Sequence, residues 1–311
     1  MGVTPASVAS SAGDLRRAML LMLASTVMFG SMAVTIRLAS SQLHPFEIAF
    51  FRNLFGLVFA LPLLLRHGPG LLRTNHLSMY FARCLIGIGS MLCGFWAIVH
   101  LPLAEAVSIS YATPLFVTIG AVLVLGEVVR IRRWTAVLVG FVGVLLIVRP
   151  GATTFSVHTL AALAAAALSG CVAISIKFLS RTEKADAIVL YTTLLWVPMS
   201  LLPAMFVWVW PQGLTWLWIV LAGFFGTAGH MLWTRALKLG DASLLTPITF
   251  VQVLVVGLYG WLLFDETIDR YTALGAAIIL GSNYYIALRE ARLARQTVTD
   301  PDIGSQSKLS G

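Results

Sequence analysis

Ten apolar stretches follow one another along this chain, and most of them are long enough to cross a lipid bilayer as an α-helix. They are Ala18–Leu38, Pro45–Leu65, Leu77–Val99, Leu103–Leu125, Trp134–Val148, Val157–Leu179, Ala185–Trp208, Leu214–Leu237, Ala242–Phe264 and Tyr271–Leu288. A membrane-spanning helix needs roughly 20 apolar residues. The chain is 59% hydrophobic and 11% charged, whereas a soluble domain carries about 25% charged residues. The sequence therefore predicts an all-α polytopic membrane protein with ten transmembrane helices.

The positive charges fall on alternate connectors. With ten spans, both ends of the chain lie on the same side of the membrane, and 16 of the 21 lysines and arginines lie on that side. Three lie on the other side, namely Arg37, Arg149 and Arg270. Because cytoplasmic loops carry the excess of Lys and Arg, both termini are predicted to be cytoplasmic. Residues 1–17 and 291–311 are then cytoplasmic tails, and the polar composition of the second tail predicts disorder.

One corner of the chain occurs twice with its charge reversed. Residues 125–137 read LGEVVRIRRWTAV, and residues 264–276 read FDETIDRYTALGA. The first copy follows the fourth span and is basic, whereas the second follows the ninth span and is acidic. An odd number of spans separates the copies, so they insert in opposite orientations and their charge follows the side of the membrane. The sequence predicts a 5+5 inverted-topology repeat, with residues 18–150 as the first half and 151–290 as the second.

The stretch around the first corner carries a family resemblance. Residues 101–151, LPLAEAVSISYATPLFVTIGAVLVLGEVVRIRRWTAVLVGFVGVLLIVRPG, resemble the EamA repeat of the drug/metabolite transporter superfamily. The marks are small residues that open the fourth span, Pro114 at its middle, Gly126 and Glu127 at its end, and spaced glycines in the fifth span. The second copy departs from the pattern, since Asp265 replaces the glycine before the acid.

The resemblance covers about residues 18–290 and implies a secondary transporter that works by alternating access of the two halves. Inverted repeats of this kind place the substrate near the bilayer midplane between the halves. Within the superfamily, the chain is similar to bacterial exporters of amino acids and related metabolites in the cytoplasmic (inner) membrane. Other substrate classes, multidrug cations and nucleotide-type metabolites, stay open as alternatives, and so do the direction and the energy source.

Two spans carry a proline among hydroxyl and amide side chains. Pro114 in the fourth span and Pro247 in the ninth each lack the N–H that would bond the carbonyl four residues earlier, which predicts a kink. The polar residues nearby are Ser110, Tyr111, Thr246, Thr249 and Gln252. Polar, kinked helices at equivalent positions of two halves are where a midplane binding site forms. A purely structural role is the alternative, because hydroxyls in helices also bond their own backbone.

Aromatic side chains form a second set of candidates for substrate binding. Tyr80 and Trp96 lie on the third span, and His230 and Trp233 lie on the eighth. Such rings stack on aromatic substrates and hold an ammonium group by cation–π contact. Tyrosine and tryptophan also mark the membrane interface, and a histidine satisfied within the core is the ordinary interpretation of His230.

Arg52 lies inside the second span, where a charged side chain is costly and therefore a candidate functional residue. Glu47 precedes it by five residues, which places the two side chains about 140° apart around a helix and does not make them a pair. Arg52 either binds a substrate carboxylate or ties its helix to a neighbour.

Glu127 and Glu266 end the fourth and ninth spans. A carboxylate is unfavourable at the C-terminus of a helix but favourable at the N-terminus of the next one. The sequence therefore predicts that each acid caps the helix that follows it. With Pro114 and Pro247, these acids are interpreted as structural corners, and proton coupling by the two acids is the alternative.

The chain lacks the sequence patterns of nucleotide, metal and redox sites. It has no GxxxxGK[ST], HExxH or CxxC, and its three cysteines lie within apolar stretches. We expect no catalytic residues, no metal and no cofactor. A nucleic-acid partner is not expected either, because the net charge of +8 is distributed by membrane side. The expected partners are the lipid bilayer and a small-molecule substrate, with a monomer as the simplest assembly.

Two other classes of function are alternatives to transport. An intramembrane enzyme acting on lipids needs clustered acid and base groups, whereas Glu47, His100, Glu105 and His230 are scattered along the chain. A non-transporting membrane scaffold would tolerate apolar replacement of Ser110, Thr246, Trp96 and Trp233. The sequence favours a transporter over both.

Overall fold

The structure, a computed structural model, describes residues 12–67, 77–126, 131–150, 156–179, 185–239 and 242–299. Its helices within these ranges are α1 (Ala12–Ala39), α2 (Pro45–His67), α3 (Leu77–His100), α4 (Leu103–Ser110), α5 (Thr113–Leu125), α6 (Ile131–Val148), α7 (Val157–Leu179), α8 (Ala185–Met205), α9 (Thr215–Leu239), α10 (Ala242–Thr249), α11 (Val251–Phe264) and α12 (Arg270–Thr299). No strand occurs in the described part of the chain, as expected where long apolar runs must satisfy their backbone groups internally.

Most of these helices suit the interior of a membrane. Seven helical segments of the described residues are long and apolar enough to cross a bilayer: Asp14–Ala39, Leu77–His100, Leu103–Val124, Val157–Leu179, Thr215–Leu239, Pro247–Phe264 and Arg270–Leu288. Trp134–Val148 is apolar but shorter, and α2 and α8 occupy the predicted second and seventh spans. The prediction of an all-α, multi-pass membrane protein is confirmed.

Two of the predicted spans are each divided into two helices. The fourth span becomes α4 and α5, separated by a turn at Tyr111 and Ala112. The ninth span becomes α10 and α11, separated at Phe250. Each division releases backbone groups that a continuous helix would have bonded, so other parts of the protein must satisfy them.

Each of the two divisions lies beside one of the prolines. Pro114 lies in the first turn of α5, where a missing N–H removes no helix hydrogen bond. Pro247 lies inside α10, shortly before that helix ends. The backbone stays in the right-handed helical region through both divisions, and its N–H groups there bond three residues back, as Ala112 does to Ile109 and Phe250 does to Pro247. Each span is therefore interrupted by a tight turn beside its proline.

Both ends of the chain are more helical than predicted. α12 continues to Thr299, beyond the predicted end of the last span at Leu288 and into the segment for which the sequence predicts disorder. The residues that follow Leu288, REARLARQ, are strong helix formers. Their helix propensity explains why the helix continues beyond the end of the apolar run. At the other end, α1 begins at Ala12, ahead of the predicted first span.

Glycines permit the closest helix contacts. α6 packs on α12, where a Cβ on Gly143 would lie 2.7 Å from the carbonyl oxygen of Gly275 and a Cβ on Gly275 would lie 2.5 Å from that of Gly143. α9 packs on α2, where a Cβ on Gly223 would lie 2.6 Å from the Cβ of Phe55. Small residues are what membrane helices use for close approach, since no hydrophobic effect drives helices together in lipid.

Large apolar side chains also cover the outer surface of the bundle. Leu123 is 78% exposed, Leu254 68% and Leu138 62%. Extensive apolar exposure of this kind marks a surface that contacts something other than water. Leu123 and Leu254 lie on helices of membrane length, and Leu138 lies on the shorter apolar helix α6, as expected of a surface that contacts lipid.

The two related corners share an unusual backbone conformation. α5 ends at Gly126 with φ 65° and ψ 23°, and α11 ends at Asp265 with φ 52° and ψ 26°. Their N–H groups bond the carbonyl oxygens of Ala121 and Gly260, respectively. Glycine enters this left-handed region freely, whereas aspartate does so at a cost. The corners therefore fold alike at the position where Asp265 replaces a glycine.

Candidate functional site

The two helix breaks lie against each other. Tyr111, in the turn between α4 and α5, donates its hydroxyl to the carbonyl oxygen of Thr249 at the end of α10. Gln252 Oε1 lies 3.4 Å from the same hydroxyl, and the rings of Phe250 and Tyr111 pack edge-on with centroids 5.4 Å apart. Three predicted binding residues thus meet at the breaks. Thr246 lies on α10, but its side chain is outside the described part of the structure.

Side chains satisfy the backbone groups that the first break releases. The Thr113 hydroxyl donates to the Ser110 carbonyl oxygen at 2.8 Å, and Asn283 of α12 donates through Nδ2 to the Tyr111 carbonyl oxygen at 2.7 Å. The Ser110 hydroxyl turns back to the carbonyl oxygen of Val107 at 2.7 Å. Ser110 therefore makes the local bond that hydroxyls in helices commonly make, although its side chain is exposed.

A second polar group lies where α1, α2 and α9 meet. Arg52 of α2 donates through Nη1 to Asn53 Oδ1 at 3.0 Å, and its buried Nε has no partner in the described part of the chain. A Cβ on Gly226 of α9 would lie 2.7 Å from Nη2 of Arg52, so the guanidinium fits because this residue is glycine. His230, one turn further along α9, packs edge-on against Phe29 of α1 with centroids 5.0 Å apart.

Helices α1, α2 and α9 surround this group. α9 packs on both α1 and α2, and His230 contacts α1 while lying close enough to Arg52 for their charges to interact. Even so, the His230 side chain is exposed and Arg52 is partly exposed.

The other predicted aromatic residues do not join this group. Tyr80 is fully buried and stacks on Tyr191 with centroids 4.5 Å apart. Trp96 donates through Nε1 to His158 Nδ1 at 2.9 Å, and Trp233 is 41% exposed. Of the four predicted aromatic residues, the structure places only His230 beside Arg52.

Trp96 instead belongs to a stack of rings at one end of the bundle. His100 stacks on Trp96 with centroids 4.3 Å apart and on His158 with centroids 4.4 Å apart. His44 lies 5.5 Å from the Trp96 ring, and its Nδ1 accepts the N–H of Phe46 at 3.3 Å. Because Nδ1 of His44 and Nδ1 of His158 both accept hydrogen bonds, both nitrogens are unprotonated in this arrangement.

Glu266 does not cap the helix that follows it, which corrects the prediction. One of its oxygens accepts from Arg37 Nη1 at 2.9 Å, and the other accepts the N–H of Leu103 at 2.8 Å. Leu103 is the first residue of α4, so Glu266 caps a helix from the first half of the chain, where the helix dipole favours a carboxylate. Arg37 also donates to the carbonyl oxygens of Ile98, at 2.6 Å, and Leu101 at the end of α3.

Asp269 takes the capping role that the sequence assigns to Glu266. Its Oδ2 accepts the N–H of Tyr271 in the first turn of α12 at 3.2 Å and lies 2.5 Å from Nη2 of Arg149. The two ion pairs and the ring stack lie at the same end of the bundle, which we name the Glu266 end. Glu127, the matching acid of the first corner, lies outside the described residues.

Three residues of these groups escaped the sequence reasoning. Arg37 enters the sequence analysis only through its side of the membrane, although it lies within the first predicted span, where a charged residue is a functional signal. Phe29 has the appearance of any apolar residue of a span. Asn283 could have been found, because an amide inside the last apolar run is itself a functional signal.

Known proteins resemble this chain over most of its length. It is 28% identical to the riboflavin transporter of Brucella anthropi, covering 80% of this chain and 89% of that protein. It is 26% identical to the S-adenosylmethionine uptake transporter of Rickettsia prowazekii, covering 81% and 86%. It is 28% identical to the pseudopaline exporter of Pseudomonas aeruginosa, covering 86% and 94%. A solved structure with 22% identity covers 89% of this chain and 98% of its own, with a TM-score of 0.62, and shares the fold.

The family assignment rests on two matches within one chain. The model of the EamA-like transporter family matches residues 16–149 and again residues 158–288. Together with relatives that carry transporter names, these matches identify a membrane transporter of small metabolites and not an enzyme. The chain is a member of the EamA-like transporter family.

Proposed function

We propose that this protein moves amino acids or related small metabolites across the cytoplasmic membrane, as an exporter, by alternating access. In this proposal residues 18–150 and 151–290 are two five-span halves of opposite orientation. The substrate binds between them, near the turns at Tyr111 and Phe250 and near the polar group formed by Arg52 and His230. The binding residues retained from the sequence are Arg52, Tyr111, His230, Thr246, Thr249 and Gln252.

The helix contacts support the inverted repeat. If the repeat holds, α1 to α6 correspond in order to α7 to α12. Each contact between two helices then has a counterpart in which both helices are replaced by their equivalents. The pair α1–α9 corresponds to α7–α3, and the pair α2–α9 corresponds to α8–α3. The pair α1–α11 corresponds to α7–α5. All of these contacts occur. The pairs α2–α8 and α6–α12, which are their own counterparts, occur as well.

The observation that carries the proposal is the bond between Tyr111 and the Thr249 carbonyl oxygen. It joins the break in one half to the break in the other. Irregular backbone at membrane depth is tolerated where it is buried in protein or lines a cavity, and discontinuous helices that meet at the interface of two repeats form the substrate sites of many secondary transporters.

The charges support an external position for the Glu266 end. The sequence places both termini in the cytoplasm, and the connector after α11 is then external. Cysteine variants Arg132→Cys and Arg270→Cys in a background without the native cysteines would be labelled with a membrane-impermeant maleimide. We expect Arg270→Cys to react from outside and Arg132→Cys only after lysis. Labelling of both from one side would contradict the inverted repeat.

Flux in proteoliposomes tests the function. Counterflow of labelled L-phenylalanine, L-leucine and riboflavin is measured with the unlabelled compound loaded inside or outside, because the named relatives include both uptake and export proteins. We expect Tyr111→Phe to lower the flux up to about tenfold, the effect of one lost hydrogen bond, and Ser110→Ala to leave it unchanged. A folded protein that moves none of these compounds would contradict the proposal.

A further inference from the structure

Arg52 is a positive charge without a negative partner among the residues that the structure describes. Its Nη1 bonds the neutral amide oxygen of Asn53, whose own Nδ2 donates to the Ser200 hydroxyl at 3.2 Å. The Nε of Arg52 is buried without a partner in the described part of the chain. A guanidinium stays charged in proteins, and an unpaired charge inside the membrane is costly and marks a functional group.

The acid on the same helix cannot neutralise Arg52. Glu47 is fully buried, and its two oxygens accept the N–H of His44 at 3.0 Å and the N–H of Val209 at 2.6 Å. Both oxygens are therefore engaged at the start of α2. The acids that form ion pairs in the described part of the chain, Glu266 and Asp269, are held by Arg37 and Arg149.

The surroundings of Arg52 suit an organic anion. Gly226 leaves room for the guanidinium, since a Cβ there would lie 2.7 Å from Nη2 and 2.9 Å from Nε. His230, one turn along α9 from Gly226, lies close enough to Arg52 for their charges to interact and packs on the ring of Phe29. The two rings offer an aromatic surface near the guanidinium. Arginine presents a planar set of donors that matches a carboxylate, and a single fixed cation balances one negative charge.

From these contacts we infer that the group formed by Arg52, Gly226, His230 and Phe29 is the subsite for a substrate carboxylate, so that the transported metabolite carries a monoanionic head. The inference rests on the proposed function, because it assigns the charge of the transported molecule. Gly226 is a positioning residue, since it determines where the guanidinium lies.

A control arginine exists in the same chain. Arg83 of α3 also has a buried Nε without a partner among the described residues, and its Nη1 donates to the Thr192 hydroxyl. Arg83 is only 7% exposed, and its hydroxyl partner Thr192 lies on α8, outside the proposed subsite. Arg83→Gln therefore removes a buried arginine without touching the proposed subsite.

The experiment compares probes with and without a carboxylate in proteoliposomes. Uptake of labelled L-phenylalanine is competed with unlabelled L-phenylalanine or with L-phenylalaninamide, which lacks the carboxylate. We expect the amide to compete poorly. We expect Arg52→Gln to lower phenylalanine flux roughly 10- to 100-fold, the range for one charged hydrogen bond, Arg52→Lys to retain part of it, and Arg83→Gln to retain all of it.

A second variant separates binding from folding. The methyl group added in Gly226→Ala meets the end of the Arg52 side chain and no backbone atom. We therefore expect the variant to keep its thermal unfolding midpoint in detergent and to lose phenylalanine flux as Arg52→Gln does. Normal phenylalanine flux in folded Arg52→Gln, or equal competition by the amide, would overturn the inference. Flux of riboflavin without flux of either amino acid would overturn the inference and leave the proposed function standing. Flux of no probe would overturn both.

Discussion

Arg37 and Glu266 form an ion pair of 2.9 Å that joins α1 to the corner between α11 and α12. Each side chain is only 17% exposed. The same two side chains also bond backbone groups at two helix ends. Arg37 donates to the carbonyl oxygens of Ile98 in α3 and of Leu101 just after it. Glu266 accepts the first N–H of α4. Four segments of the protein therefore depend on one pair of charges at the Glu266 end.

Removing one partner of this pair should cost more than removing both. Glu266→Gln leaves the Arg37 charge largely buried and unpaired, and we expect a loss of about 3 kcal/mol in the free energy of unfolding. The double variant Arg37→Met, Glu266→Leu should lose less than the sum of the two single variants. Unfolding in detergent by SDS titration measures all three. Strictly additive losses would show that the two side chains do not interact.

Gly275 and Gly281 lie on the same helix but should respond oppositely to an added methyl group. A Cβ on Gly275 would lie 2.5 Å from the backbone oxygen of Gly143, whereas a Cβ on Gly281 meets nothing within 4 Å. Gly275→Ala should destabilise the protein by about 1–3 kcal/mol through overpacking, and Gly281→Ala should stabilise it by up to about 1 kcal/mol through helix propensity. Thermal unfolding measures both, and equal effects would mean that α6 and α12 do not touch at Gly275.

Apolar length and alternating charge were enough to predict the helices and the multi-pass class. The same reasoning found the neighbourhood of both helix breaks, because proline and hydroxyl residues cluster near Tyr111 and Thr249. It could not predict the tight turn that divides each span, since a gradual kink and a tight turn follow from the same residues and the choice depends on partners such as Asn283.

The partners of charged side chains were harder to predict. Glu266 was assigned to the next helix because capping is usually local, whereas its observed partners, Arg37 and Leu103, are distant in sequence. Tyr80, Trp96 and Trp233 were grouped with His230 by residue type alone. The structure separates them because helix rotation and depth, which a single sequence does not contain, determine which rings meet.

Each corner of the repeat contains one residue with a left-handed backbone conformation, and substitutions at these two residues test whether that conformation costs free energy. Asp265 is exposed at φ 52°, and Gly126 lies at φ 65° with nothing within 4 Å of an added Cβ. Asp265→Gly should therefore stabilise the protein by up to about 1 kcal/mol, and Gly126→Ala should destabilise it by about 1–2 kcal/mol, through backbone conformation alone. Thermal unfolding of the two variants would measure this. A loss of stability in Asp265→Gly would mean that the carboxylate has a role beyond the turn.

Acid should weaken the Glu266 end through His44. Burial lowers the pKa of His44 below its ordinary value of 6.5, the charge of His100 acts in the same direction, and that of Glu47 opposes it. As the pH falls below 6.5, the unfolded chain therefore binds a proton before the folded protein does, and stability is lost until the pH passes the folded pKa. Protonation of Nδ1 would also break its bond from the N–H of Phe46. We expect the thermal midpoint to fall more in wild type than in His44→Gln between about pH 7.5 and about pH 5.5, and identical slopes for the two proteins would rule His44 out as the acid-sensitive group.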